Sequence, residues 1–120
     1  MFSWVGRAVA ADVAGELEDF CTMWMGFLQV RERDNRAVIN WQVGPDGVRG
    51  EFVGYSKEYE CRLKNSKDPK ATPVATIKYH EYRYRHSGPS TSEALERSPT
   101  IVENTEVLEI FRYGKGKWIY

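Results

Sequence analysis

The 120-residue chain has no net charge and contains only two cysteines and two histidines. Its 17 Lys and Arg offset its 17 Asp and Glu, so no overall field attracts nucleic acid or an acidic membrane. No apolar run approaches the ~20 residues that span a bilayer. We recognise no glycine-rich phosphate loop and no Ser/His/Asp arrangement. The sequence therefore predicts no cofactor, and a partner that is neither nucleic acid nor membrane.

The chain has only two cysteines, and their spacing is not that of a metal or redox motif. Cys21 and Cys61 form no C-x-x-C pair. We expect two buried, reduced thiols in a cytoplasmic protein, with a disulfide that ties helix to sheet as the alternative. A disulfide would require an oxidising compartment. The first residues do not read as a signal peptide, because they lack a basic start and Arg7 interrupts a short apolar run.

Apolar residues near the start of the chain recur at spacings of three and four, which is the period of a helix. They are Val5, Val9, Val13, Leu17, Cys21, Trp24 and Leu28. This stripe predicts a helix over about 4–25. From Phe27 onward the period changes to two and predicts a strand over 28–33, followed by a turn at Asp34–Asn35.

Period-two alternation dominates the rest of the chain. It predicts strands at about 37–43, 48–55, 59–63, 74–86, 101–113 and 118–120. Gly44–Gly47 is a strong turn signal. Polar loops are expected at 64–73 and at 87–100, with a helical turn over 93–97. One helix followed by five or six strands, joined mostly by hairpins, predicts a single α+β domain over 1–120.

The chain ends in Glu109-Ile-Phe-Arg-Tyr-Gly-Lys-Gly-Lys-Trp-Ile-Tyr120, which looks like the last hairpin of many small proteins. Together with the element order, it resembles the general layout of cystatin-like and NTF2-like domains. The resemblance implies an N-terminal helix packed on a curved, mainly antiparallel sheet. It is a resemblance of architecture, so it supplies no catalytic residues.

The aromatic residues of segment 74–86 are the first candidate for a site. In a regular strand Ile77 and Tyr79 share one face, whereas Tyr82 and Tyr84 share the other. We predict a β-bulge near His80-Glu81 that brings all four onto one face. The concave sheet would then form a pocket for a small apolar molecule beneath the helix. The predicted ligand-binding residues are Trp24, Trp41, Tyr79, His80, Tyr82 and Tyr84. The alternative is a tyrosine-rich strand that is buried on one face and solvated on the other.

His80 and Glu109 are the catalytic candidates. Histidine is the side chain whose unperturbed charge change lies closest to neutral pH, and a carboxylate buried among aromatics can act as a general base. The two faces of 107–113 compete for the inward position, so Glu109 is buried in one arrangement and solvated in the other. A metal site is not predicted, because His80 and His86 would lie about 20 Å apart on a regular strand.

The leading hypothesis is a small binding or interaction domain without catalytic chemistry of its own. A homodimer is expected, because a second copy would cover an open sheet that carries aromatics on both faces. Two alternatives remain open. One is a small hydrolase or isomerase that uses His80 or Glu109 as its base. The other is a protein-binding inhibitor or immunity factor that uses the exposed sheet or the 87–100 loop.

Overall fold

A long N-terminal helix lies against a curved antiparallel sheet in the computed structural model. The structure describes residues 2–64, 68 and 70–120, with side chains described from Val13 onward. The elements are α1 (Phe2–Ala37), β1 (Asn40–Gly44), β2 (Gly47–Tyr55), β3 (Glu60–Lys64), β4 (Val74–Gly88), α2 (Thr91–Glu96), β5 (Thr100–Gly114) and β6 (Lys117–Ile119). The predicted α+β layout is confirmed. Part of the loop predicted at 64–73 lies outside the described residues.

The helix is longer than the sequence predicts, and the strand predicted at 28–33 is wrong. The apolar stripe ends near Leu28, but the next turns of α1 bond to the sheet through polar side chains. Gln29 Nε2 donates to the Ser56 carbonyl, Glu32 accepts from the Tyr55 N–H at 2.8 Å, and Asn35 Nδ2 donates to the Val53 carbonyl at 2.9 Å. These hydrogen bonds pair the backbone groups at the edge of β2 that β1 does not reach. Tertiary contacts therefore stabilise the helix beyond the end of its apolar stripe.

β4 is the central strand of the sheet, whose order is β1-β2-β4-β5-β6. One edge of β4 pairs with β3 over Val74–Lys78 and with β2 over Glu81–Gly88. Between these partners the chain leaves the ladder at 56–59. Ser56 bridges the gap, because its N–H donates to the His80 carbonyl and its hydroxyl accepts from the His80 N–H.

The β-bulge predicted near His80-Glu81 is wrong. β4 pairs with β5 without interruption through this stretch, with His80 opposite Glu106 and Glu81 opposite Thr105. The register shifts later, between Arg83 and Tyr84, where β5 contains the extra residue. Tyr79 therefore lies on the opposite face of β4 from Tyr82 and Tyr84.

Aromatics on both faces of β4 are at least partly shielded from solvent, because α1 covers one face near Tyr79 and the other near Tyr84. In the first half of the strand, Ile77 and Tyr79 belong to the core beneath α1. In the second half, Tyr84 stacks on Phe52 with ring centroids 5.1 Å apart. The Arg36 guanidinium, near the end of α1, lies 5.0 Å from the centre of the Phe52 ring. The change in the spacing of aromatic residues, which predicted a bulge, therefore results from the path of the helix across the sheet.

The main core joins one side of α1 to β3, to the first half of β4 and to the ends of β5 and β6. Its buried members are Leu17, Phe20, Cys21, Met25, Leu28, Tyr55, Ala75, Ile77, Tyr79, Phe111 and Trp118. Ile77 is fully buried, and burying a side chain of this size stabilises the fold by about 1.5–3 kcal/mol. The side chains of Val5 and Val9, which the predicted stripe includes, lie outside the described part of the chain.

The two cysteines are paired, so the expectation of reduced thiols is wrong. Cys21 on α1 and Cys61 on β3 form a disulfide across 40 positions of sequence. Sequence spacing could not reveal this pair, because only the packing of α1 on β3 brings the two sulfur atoms together. The cytoplasmic location stays a prediction, and the disulfide favours the oxidising alternative.

The inward face of β5 is the one that carries Glu109. Phe111 is buried in the core and Val107 packs against it, whereas Leu108 and Ile110 are 55% and 65% exposed on the other face. Residues two positions apart share a face of a strand. Glu109 therefore lies between Val107 and Phe111 and is half-buried.

Candidate functional site

The structure divides the six predicted ligand-binding residues between opposite faces of the sheet. Trp24 lies in the main core region with its ring 4.9 Å from that of Phe111, and Tyr79 contacts Tyr55 at 6.2 Å. The other four, Trp41, His80, Tyr82 and Tyr84, lie on the opposite face of the sheet. The six side chains therefore do not converge on one space beneath the helix.

The second group forms a continuous row of rings along β4. His80 stacks near Tyr82 at 6.1 Å, and Tyr82 meets Tyr84 edge-on at 5.7 Å. Beyond Tyr84 the row continues through Phe52 to His86 at 5.8 Å. Trp41 follows at 6.3 Å from His86. Burial raises the pKa of the Tyr84 phenol, with a further contribution from the Glu32 carboxylate. This arrangement fits cross-strand aromatic packing that anchors the end of α1.

The two catalytic candidates also lie on opposite faces. His80 Nδ1 is 2.7 Å from Asn104 Oδ1 on the outer face, whereas Glu109 accepts a 3.5 Å hydrogen bond from the Tyr79 hydroxyl on the helix-facing side. They cannot serve one substrate as an acid–base pair. Burial, and secondarily the charge of Glu109, raises the pKa of Tyr79 to about 12, so this phenol stays a neutral donor at ordinary pH.

The outer edge of β5 is a feature that the sequence did not reveal. β5 runs for 15 residues, but β6 pairs only with Arg112–Gly114. Within the part of the chain that the structure describes, no strand pairs with the outer edge of β5 from Thr100 to Phe111. Long unpaired edges are templates for another strand.

The direction of the free backbone groups follows from one hydrogen bond. The Tyr113 N–H donates to the Pro73 carbonyl, on the β4 side. Because both backbone groups of a strand residue point to the same side and alternate along the chain, odd-numbered residues near Tyr113 bond toward β4. The residues that present their N–H and C=O groups outward, beyond the part paired with β6, are Asn104, Glu106, Leu108 and Ile110.

Two of these outward residues also carry exposed apolar side chains, Leu108 and Ile110. Residues 100–111 contain no Pro, Lys or Arg, which are common devices for blocking an edge strand. The absence of such residues was the one feature of the sequence that indicated this site. It could not be used without knowing which strand lies on each side of β5.

A groove beside α1 reaches Tyr120, the residue that follows β6. Its volume is about 480 Å³, and its apolar lining comes from α1 and the residue after β6. The apolar side chains are Trp24, Phe27, Leu28, Val30 and Tyr120. Phe27 is 57% exposed and Val30 is 44% exposed. The Tyr120 ring lies 5.3 Å from that of Trp24, and Trp24 in turn contacts Phe111 of β5. A strand that followed β6 along β5 would therefore start beside this groove.

No protein-family model matches the chain, and comparisons with curated proteins and with solved structures found no match either. The layout of helix and sheet is thus established by the structure alone, and the likeness to cystatin-like or NTF2-like domains stays a resemblance of architecture. Of the helices in the described residues, none is both long enough and apolar enough to cross a membrane. The geometry at the edge of β5 is therefore what supports an argument about function.

Proposed function

We propose that the chain is a protein-interaction domain that binds an extended segment of a partner as an added strand on the outer edge of β5. The observation that carries this proposal is the row of unpaired backbone groups on Asn104, Glu106, Leu108 and Ile110. In strand addition, the main-chain hydrogen bonds supply affinity, and the side chains that alternate along the added strand supply specificity.

Hydrogen bonds and apolar burial both favour such an addition. Each added backbone hydrogen bond contributes about 0.5–1.5 kcal/mol net. The added strand would also cover Leu108 and Ile110, which are more than half exposed. Burial of large apolar side chains contributes about 1.5–3 kcal/mol each. These contributions must offset a cost of association of at least about 4 kcal/mol, so only a segment that also fits the neighbouring side chains would bind tightly.

The occupant we favour is a segment of another protein rather than a second copy of this chain. Residues 100–111 contain Glu103, Glu106 and Glu109 and no basic residue. Pairing two copies along β5 would bring six carboxylates to one seam, and the cations of β4 reach only Glu103 and Glu106 of each copy. In the register centred on Glu106, that residue would face its own copy and Glu103 would face Glu109, which is destabilising. The predicted homodimer is therefore the competing occupant in the test.

Proline substitutions can test the edge, because proline removes one N–H group. Glu106→Pro removes an outward N–H and should leave the ladder to β4 intact. Val107→Pro removes an N–H that points toward β4 and should unfold the sheet. Glu106→Gln is the matched control for the loss of charge. Circular dichroism should show a folded Glu106→Pro protein and an unfolded Val107→Pro protein.

The binding probe is a displayed library of random ten-residue peptides, selected on the wild-type protein. We expect selected peptides to bind the wild type and Glu106→Gln, to lose at least tenfold in affinity for Glu106→Pro, and to protect the amides of Asn104, Leu108 and Ile110 from hydrogen exchange. Peptides that bind Glu106→Pro equally well would refute the proposal. Sedimentation of the wild type decides the occupant: a dimer that Glu106→Pro dissociates would replace the partner segment with a second copy.

A further inference from the structure

Glu109 differs from the other two glutamates of β5 in lacking a cation. Glu103 pairs with Arg83 at 3.2 Å, and Glu106 lies 3.9 Å from Lys78. In the described residues no Lys or Arg lies within ion-pair distance of Glu109. Its one hydrogen bond is the 3.5 Å contact from Tyr79.

The carboxylate of Glu109 is partly shielded from water and, among the described side chains, has no cation beside it. It is half-buried on the helix-facing side of β5, next to the core residues Val107 and Phe111. A carboxylate partly removed from water without a cation is costly, and a partner's cation would recover part of that cost. The Tyr79 phenol beside it is a neutral donor, so it adds no competing negative charge.

A strand added beyond β6 would bring one of its side chains to this carboxylate. Ile119 of β6 lies opposite Arg112, so an added strand would have its own residues opposite Ile110, Glu109 and the positions that follow toward Asn104. Directly opposite residues of an antiparallel pair share a face with Cβ atoms about 4.5–5.5 Å apart. The residue opposite Glu109 would therefore lie on the helix-facing side within reach of the carboxylate.

We infer that the partner segment is basic and apolar, with a Lys or Arg opposite Glu109 and apolar residues immediately before and after it, opposite Ile110 and Leu108. This inference rests on the proposed strand addition and specifies its occupant. The flanking residues would lie on the outer face against the exposed side chains of Leu108 and Ile110. The next helix-facing residue, opposite Val107, would be apolar because Val107 packs against the core.

Charge reversal at the carboxylate tests this inference. The same peptide library is selected in parallel on the wild type, on Glu109→Lys and on Glu96→Lys, an exposed acid of α2 that serves as the control for net charge. We expect Lys and Arg to be enriched in peptides selected by the wild type and by Glu96→Lys, and Asp and Glu to be enriched by Glu109→Lys. Peptides selected on the wild type should bind Glu109→Gln about tenfold more weakly, and their affinity should depend less on salt.

The outcomes separate this inference from the proposed function. Suppose that the selected peptides lose binding to Glu106→Pro but are not enriched in Lys and Arg, or that Glu109→Lys selects the same Lys and Arg enrichment as the wild type. Either result would refute the basic segment and leave strand addition unrefuted. Peptides that bind Glu106→Pro as well as the wild type would overturn both. If Glu109→Lys fails to fold, Glu109→Gln decides: an unchanged affinity and salt dependence would refute the role of the carboxylate.

Discussion

The bond between Cys21 and Cys61 should contribute a large part of the stability of this chain. The two residues are separated by 40 positions. Closing a loop of this length in the unfolded chain removes about 13 cal/mol/K of entropy, which corresponds to about 4 kcal/mol at 25 °C. Domains of this size have total stabilities of roughly 5–15 kcal/mol. Losing the bond should therefore remove between a quarter and most of the stability.

The test is urea unfolding of the wild type and of the double variant Cys21→Ala/Cys61→Ala, with tryptophan fluorescence as the readout. With a urea dependence of about 1–3 kcal/mol/M, a loss of about 4 kcal/mol lowers the midpoint by about 1.3–4 M. Reductant should lower the wild-type midpoint by a similar amount and leave the midpoint of the double variant unchanged. The double variant therefore controls for side effects of the reductant.

Two results would refute this reasoning. A wild-type midpoint that does not respond to reductant would show that the pair does not constrain the unfolded chain. Alkylation of two thiols in the native protein, detected by mass spectrometry without prior reduction, would show that the bond is absent. The second result would also support the predicted cytoplasmic location, because cytosolic thiols are kept reduced.

Three further perturbations test the core, the buried phenol and the contacts between helix and edge. Ile77→Ala should lower the free energy of unfolding by about 2–5 kcal/mol, and Ile77→Val by about 0.5–1.5 kcal/mol; equal effects in chemical denaturation would contradict full burial. Because the pKa of Tyr79 is raised from 10.0 to about 12, the unfolded chain releases this proton first, so the stability from this group is present below pH 10 and declines as the pH rises toward 12. Tyr79→Phe should flatten that part of the stability curve, and an unaltered decline would assign it to other groups. Asn35→Ala should cost about 1–3 kcal/mol by leaving the Val53 carbonyl without its partner, and a cost near zero in thermal unfolding would show that water replaces the amide.

Much of the architecture could be predicted from local patterns. The spacing of Leu17, Cys21 and Leu28 identified the buried side of the helix, and all three are core residues. The turn predicted at Gly44–Gly47 joins β1 to β2, with Gly47 at a φ of 124° that favours glycine. The two long strands were located within a few residues of their ends, because alternation persists over their whole length.

The candidate site could not be predicted in the same way. Alternation shows that Leu108 and Glu109 belong to opposite faces, but not which face α1 covers. The predicted bulge would place Tyr79 and Tyr82 on one buried face, whereas in the structure α1 covers one face of β4 near Tyr79 and the other near Tyr84. A local pattern contains no information about where a helix crosses a sheet.

The sequence by itself determined the α+β layering and, apart from the strand predicted at 28–33, the order of the elements, because these depend on the spacing of apolar residues and on turn residues such as Gly44–Gly47. Tertiary structure decided the continuation of α1 to Ala37, the pairing of Cys21 with Cys61 and the open edge of β5. Each of these depends on contacts between segments far apart in the chain. The open edge in particular depends on which strands lie beside β5, and only the paired backbones show that β4 takes one side and that β6 takes only the end of the other.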